Sequence, residues 1–290
     1  MISRREFTQA ACGLAYGVTS GRAMCALEGT LPADLARIEA ESGGRLGVAV
    51  RDSATGAQQG HRANERFPLC STFKLLAAAA VLSRVDAGDE RLDRRVRFEA
   101  HDLVTYSPVT QHWVGGDGMP LPEICAAAIT MSDNTAGNLL LAAIGGPPGF
   151  TEYARSLGDA VTRLDRIEPE LNEALPGDPR DTTTPAAMVA DLAKLLTGDA
   201  LSGESRRRLL DWLLASKTGD ARLRAGVPNG WQVGDKTGSG ERGTANDVGI
   251  IRPPQRAPVL VAVYLTGSPQ SAEQRNAVIT AVGRLIAAAL

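Results

Sequence analysis

At 290 residues, 43% hydrophobic and a formal net charge of −2, the chain suits a globular protein of one or two domains. It carries no basic block and no aromatic–basic interleaving of the kind nucleic acid requires. The three histidines, His61, His101 and His112, are scattered without metal-ligand spacing, so neither a metal nor another cofactor is expected.

Residues 1–26 read as an export signal. Arg4 and Arg5 precede a weakly apolar stretch from Ala10 to Val18, a twin-arginine pattern of Tat type, with Ala23 or Ala26 before the cut. A cytosolic N-terminal helix is the alternative, and Gly13, Gly17 and Gly21 argue against it. The expectation is a periplasmic protein with its signal removed. No later run is long and apolar enough to span a membrane. Cleavage after Ala26 removes Cys12 and Cys25 and leaves Cys70 and Cys125, which read as two buried free thiols. Their pairing would need a geometry that sequence does not give.

Leu31 to Ala40 has the spacing of an amphipathic helix. Arg45 to Arg51 alternates like a strand, Asp52 to Gly56 is a turn, and Ala57 to His61 returns as a second strand. Pro68 then blocks backward extension of an Ala- and Leu-rich helix, which places Ser71 in or near its first turn. Helical pattern with loops follows. Glu123 to Thr130 and Ala136 to Ile144 are helices, split by the polar break Ser132-Asp133-Asn134 and closed by Gly145-Gly146. Thr162 to Pro185 is a long loop of mixed charge, and such loops inside compact domains are functional or disordered. Two more helices cover Pro185 to Leu196 and Glu204 to Ala215.

The pattern then turns to strands over Gly230 to Gly238, Asp247 to Ile251 and Pro258 to Leu265, with a closing helix from Ala272. Strands at both chain ends and helices between them predict a mixed α+β, α/β-type fold. It would be a five-stranded antiparallel sheet built from residues 27–65 and 216–290 and flanked by the terminal helices. Residues 66–215, with the 164–181 loop, would form an inserted helical domain, and the site would lie in the cleft between the two.

Ser71 and Lys74 stand at i and i+3, so they share a helix face. A hydroxyl beside an amine is a nucleophile beside a base, and first-turn N–H groups can hold an oxyanion. Taken alone, the pair reads more readily as a helix cap and a solvated lysine, since Ser-x-x-Lys recurs by chance in many chains. Three further polar islands sit among apolar neighbours: Ser132-Asp133-Asn134, Glu168-Pro169-Glu170-Leu171-Asn172 and Lys236-Thr237-Gly238. Each has its own bland reading, as a cap, a solvated loop acid and a strand end.

Together and in this order they resemble the class A serine β-lactamases, within the serine penicillin-recognising enzymes. The likeness covers essentially the whole chain beyond the signal. It implies Ser71 as nucleophile on the lactam carbonyl and the N–H groups of Ser71 and Ser239 as oxyanion holders. Lys74 would relay protons, Ser132 would pass one to the lactam nitrogen, and Glu168 with Asn172 would activate the deacylating water. Asn134 would meet the substrate amide, and Lys236, Thr237 and Ser239 its carboxylate. Tyr106 resembles the aromatic at the cleft entrance, and Arg166 with Asp181 the ion pair closing the loop, with Glu168-Pro169 as its cis peptide.

There are departures. The arginine that many members carry after the Gly-Thr of the next strand is Ala245 here. The position of an alternative one in the last helix is Asn276, and Arg222 resembles the source of that charge in a subset. Ala78 stands where Cys125 would find a disulfide partner and Gly240 where Cys70 would, so neither bridge is expected. The resemblance implies a monomeric hydrolase of penicillins and cephalosporins, acting on small-molecule β-lactams and conferring antibiotic resistance. A cell-wall transpeptidase or carboxypeptidase, or a β-lactam sensor that stays acylated, would share Ser71, Lys74 and Lys236. Neither needs the deacylating pair.

Overall fold

The structure, a computed structural model, describes residues 21–290, with side chains from Leu31 onward. The export signal expected over residues 1–26 therefore lies mostly outside the described residues.

Helix α1 spans Gly21–Ser42 and precedes strands β1 (Arg45–Asp52) and β2 (Gln58–His61). Strand β3 (Phe67–Pro68) leads through a 3-10 turn, Cys70–Thr72, into α2 (Phe73–Ala87). Ser71 therefore sits in a turn just ahead of the α-helix rather than inside it. The ten residues Phe73 to Leu82 are all buried, because an Ala/Leu helix apolar all round has no solvent face. Gly88 ends it with φ 81°, its N–H returning to the carbonyls of Arg84 and Val85.

The ribbon β4 (Arg95–Val96) with β5 (Met119–Pro120) precedes α3 (Leu121–Thr130) and α4 (Asn134–Ala143). Helix α5 (Gly146–Ser156) follows at once, where the sequence suggested only closure of α4. The same glycines and prolines both stop one helix and start the next, since Pro fits the first helical turn. The loop beyond holds a 3-10 turn (Glu170–Asn172) and β6 (Thr182–Thr183), which pairs with β3. Helices α6 (Pro185–Leu192) and α7 (Gly203–Leu214) and the short α8 (Leu223–Gly226) lead to the last strands. These are β7 (Gln232–Gly240), β8 (Thr244–Arg252) and β9 (Val259–Thr266), closed by α9 (Ala272–Ala288).

The five-stranded sheet has the order β2-β1-β9-β8-β7, antiparallel throughout. The last long strand, β9, is thus central and joins the two ends of the chain. Its first seven residues are all buried, as expected for a strand covered on both faces. One apolar cluster packs α1 and α9 on one face through Leu35, Val261, Ile279 and Val282. The other runs from Ala262 and Tyr264 through α2 to α7. Strand β7 is an edge, and it packs against the 3-10 turn bearing Ser71. No helix among the described residues is long and apolar enough to cross a membrane.

Candidate active site

The Ser71 turn is held from both sides. Leu69 donates its N–H to the Asp181 carbonyl at 2.8 Å, and Asn246 Nδ2 reaches the Pro68 and Leu69 carbonyls at 2.9 and 3.2 Å. Cys70 holds a left-handed φ of 44° to make the bend. Lys74, one turn on, donates from Nζ to Ser71 Oγ at 2.9 Å. It also donates to the Ser132 carbonyl at 2.9 Å and to Asn134 Oδ1 at 2.6 Å. Gly137 on α4 leaves room for this lysine, since a Cβ there would lie 2.7 Å from Lys74 Cε.

Glu168 reaches the same hydroxyl from the other side. Ser71 Oγ donates to Glu168 Oε1 at 3.1 Å, and Lys74 Nζ lies 2.8 Å from that oxygen. Asn172 Nδ2 donates to Glu168 Oε2 and to the Pro169 carbonyl, while its Oδ1 has no partner among the described residues. The Glu168-Pro169 peptide is cis. Arg166 Nε binds Asp181 Oδ2 at 2.6 Å, and Asp181 Oδ1 accepts the N–H groups of Asp165 and Arg166, so the loop is closed at its neck.

The third wall comes from β7 and the α3–α4 turn. Lys236 Nζ donates to Ser132 Oγ at 2.9 Å and to the Thr237 carbonyl at 2.7 Å. Ser132 sits at φ 58°, in a turn fixed by Asp133, whose carboxylate accepts from the N–H groups of Val109, Thr110 and Ala136. Arg222 donates to Ser239 Oγ at 2.7 Å, to the carbonyls of Gly238 and Asn246, and to Asn276 Oδ1. Ala245 pairs across from Ser239. The guanidinium that the sequence did not show at residue 245 or 276 therefore arrives from the start of α8, and Asn276 helps to hold it.

A cleft of about 370 Å³ is lined by Ser71, Tyr106, Ser132, Asn134, Asn172, Thr218, Arg222, Thr237 and Ser239. Lys74, Glu168 and Lys236 are buried directly behind it. Every site residue expected from sequence is in or against this one cleft. Tyr106 is 56% exposed at its edge. Asn134 is engaged at both ends, through Oδ1 with Lys74 and through Nδ2 with the Thr105 carbonyl.

Sequence reasoning missed two residues. Thr218 lines the cleft and shares a 2.6 Å hydrogen bond with Thr237. Asn138 accepts the Glu168 N–H at 2.9 Å and donates to its carbonyl at 3.0 Å, so it holds the main chain of that acid. The signal for Asn138 was a polar residue four positions after Asn134 in an otherwise apolar helix. Thr218 carried no such signal.

Burial pushes the Lys74 ammonium below its ordinary range, and the Glu168 carboxylate opposes that fall. Lys236 is pushed well down, by burial first and then by the charge of Lys74. An amine in this setting releases its proton more readily and serves better as a base. Burial raises the Cys70 thiol and lifts that of Cys125 up to about 12, and both cysteines are free and buried, as expected. Gly240 abuts Cys70, with an added Cβ 2.6 Å from Sγ. No group of three or more His, Cys, Asp or Glu among the described residues could hold a metal ion.

The profile of the β-lactamase enzyme family matches residues 30–290. The fold matches a solved ancestral class A β-lactamase with a TM-score of 0.89 and 64% identity, over 90% of this chain and 100% of that one. A doubly substituted variant of the class A enzyme of the last common ancestor of Gram-negative bacteria, solved with a nitrobenzotriazole transition-state analogue, matches at 0.88 and 64%, over 89% of this chain and 98% of the other. A protein of Rhodopseudomonas palustris described as the "Putative Class A Beta-Lactamase PenP" matches at 0.88 and 61%, over 90% and 99%. With Ser71, Lys74, Glu168 and Lys236 gathered at one cleft, and identity above 60% to these proteins over nearly their whole length, the chain belongs to the β-lactamase enzyme family and to its class A.

Proposed function

We propose that the protein hydrolyses the β-lactam amide bond of penicillins and cephalosporins through an acyl-enzyme on Ser71. The carrying observation is the placement of Glu168 Oε1 3.1 Å from Ser71 Oγ, with Asn172 on the other carboxylate oxygen. In acylation, Ser71 Oγ attacks the lactam carbonyl and gives up its proton to Lys74 or Glu168, both in contact with it. The N–H groups of Ser71 and Ser239 receive the oxyanion. As the C–N bond breaks, Ser132 passes a proton to the lactam nitrogen and is resupplied through Lys236 or Lys74. Lys236, Thr237, Ser239 and Arg222 hold the substrate carboxylate, and Asn134 and Tyr106 face the side chain.

Deacylation needs a water on the ester carbonyl. Glu168 takes its proton and Asn172 orients it, and the ester bond breaks to release Ser71 and a ring-opened acid. We further propose an exported, periplasmic monomer whose signal is removed, with the antibiotic-binding cleft between a sheet domain and a helical domain.

The test is intact mass after mixing with a chromogenic cephalosporin. The parent is expected to turn over with no lasting adduct. Glu168→Gln is expected to accumulate the acylated mass and to lose at least about 100-fold in turnover, the scale of a general base. A parent that gives one stoichiometric burst and stops is a sensor or transpeptidase instead.

A further inference from the structure

Behind the loop that carries Glu168 and Asn172 lies a second cavity of about 690 Å³, against about 370 Å³ for the cleft. The outer arc of the loop, residues 174–179, forms one wall. The start of β1, the end of β9 and the β7–β8 turn form the other. None of its lining residues lines the cleft.

Its charged groups are nearly all satisfied. Arg45 binds Glu65 at 3.1 Å and the Arg66 carbonyl at 2.6 Å. Arg66 donates to the Val161 carbonyl and to Thr182 Oγ1, and Asp178 holds Arg180 at 2.7 Å. The guanidinium of Arg242 alone in this lining has no partner among the described residues. Arg66 is engaged only with neutral acceptors through one of its nitrogens, and the exposed Arg242 offers a whole guanidinium free of partners among the described residues, beside Leu175 and Pro176.

Arg242 is also held in an unusual backbone state. Thr244 N–H closes a turn on the Glu241 carbonyl at 3.1 Å, with Arg242 at φ 52° and Gly243 at φ 64°. That is a type I′ turn, whose first central place suits Asn far better than Arg. On the facing wall Ala174 is left-handed too, at φ 53°. Non-glycine residues in this region collect at ligand clamps and switches.

The turn is tied to the catalytic loop. Glu241 N–H donates to the Asn172 carbonyl at 2.9 Å, and Gly240 packs so closely that a Cβ would lie 2.8 Å from that oxygen. Asn172 in turn holds Glu168.

We propose that this cavity binds a monoanion with a flat apolar body, of the aromatic carboxylate class. Its carboxylate sits on Arg242 and its ring lies against Leu175 and Pro176. The bound anion wedges the outer arc, shifts Asn172 and slows deacylation. The kinetic half rests on the role proposed above for Asn172, and the binding half stands without it.

The probe is phenylacetate, titrated into the isotope-labelled mature chain by NMR. Saturable shifts are expected at residues 174–179 and around Arg242. Arg242→Asn, which suits the turn and removes the charge, is expected to weaken binding about tenfold or more, the loss of one charge-assisted hydrogen bond. In the parent, phenylacetate is expected to lower kcat on a chromogenic cephalosporin severalfold, and in Arg242→Asn to leave it unchanged. Shifts confined to Ser71, Lys236 and Arg222, absence of saturation, or equal affinity in Arg242→Asn would each overturn the site. Binding with unchanged kcat would overturn the coupling. A parent without any cephalosporin turnover would sink the hydrolase reading and leave the NMR result to decide the site.

Discussion

Lys74 and Glu168 are both fully buried, and each is the other's close counter-charge. The arrangement holds because Asn134, Ser132 and Asn172 complete their hydrogen bonds, as buried charges require. A second buried acid behaves differently. Asp191 on α6 neighbours Asp159, which caps the chain entering the Glu168 loop through the N–H groups of Val161 and Thr162. Burial first, and then the neighbouring Asp159, pushes the Asp191 carboxyl up to about 9 from 3.8. Each acid has one buried oxygen without a partner among the described residues, the setting in which burial favours a protonated carboxyl. Between those two values the folded state binds one proton more than the unfolded chain. The contribution of Asp191 is therefore complete below the unfolded value and shrinks as pH rises towards the folded one. We expect Asp191→Asn to flatten the fall of unfolding free energy with rising pH, by up to about 1.4 kcal/mol per pH unit. Urea unfolding at several pH values on the two proteins checks this, and parallel slopes would mean that Asp191 is ionised when folded.

At the scale of elements, the loop bearing Glu168 and Asn172 is an irregular segment closed at its neck. Asp181 is 1% exposed and accepts from two main-chain N–H groups and from Arg166. Replacing it by Ala leaves those donors unpaired and Arg166 with Glu173 as its carboxylate. We expect a stability loss of about 3–5 kcal/mol, the scale for breaking a buried pair. Single-turnover kinetics should show deacylation slowed more than acylation, because the lost carboxylate closes the loop bearing Glu168, while the Asp181 carbonyl that holds Leu69 beside Ser71 remains in the alanine variant. Equal slowing of both steps would place the loop's effect on the whole cleft. This loop was legible as long and of mixed charge. Its 3-10 turn and its pairing of β6 with β3 were not, because two-residue strands have no period to read. Helix α5 escaped for a different reason, since its Gly-Pro-Pro start is a stop signal when read from the preceding helix.

For the whole molecule, the central place of β9 makes the last quarter of the chain a condition for the first. Strand β1 pairs with β9 over residues 45–52, and β8 pairs with it from the other side. Both apolar clusters contain β9 residues, Val261 and Val263 in one and Ala262 and Tyr264 in the other. A chain ending at Arg252 loses that strand and α9 together. We expect it to lack a cooperative thermal transition and to aggregate, because β1 and β8 are left with open edges. Circular dichroism during heating checks this, and a sharp transition in the truncated chain would show that the helical half folds alone.

Local pattern was enough to predict the main helices and long strands, and from them one antiparallel sheet closed by both chain ends, α5 and α8 excepted. It also marked the chemical types at the site, because Ser71, Lys74, Ser132, Glu168 and Lys236 interrupt apolar surroundings at recognisable spacings. Hydrophobic period and turn residues are local signals, and they survive in one dimension. Distances are not local. That Glu168 meets Ser71 across 97 positions, that Arg222 reaches Ser239, and that Asn138 grips the main chain of Glu168 depend on how whole layers pack. The cavity behind the loop is likewise a space between segments far apart in the chain, and it exists only once those segments have packed.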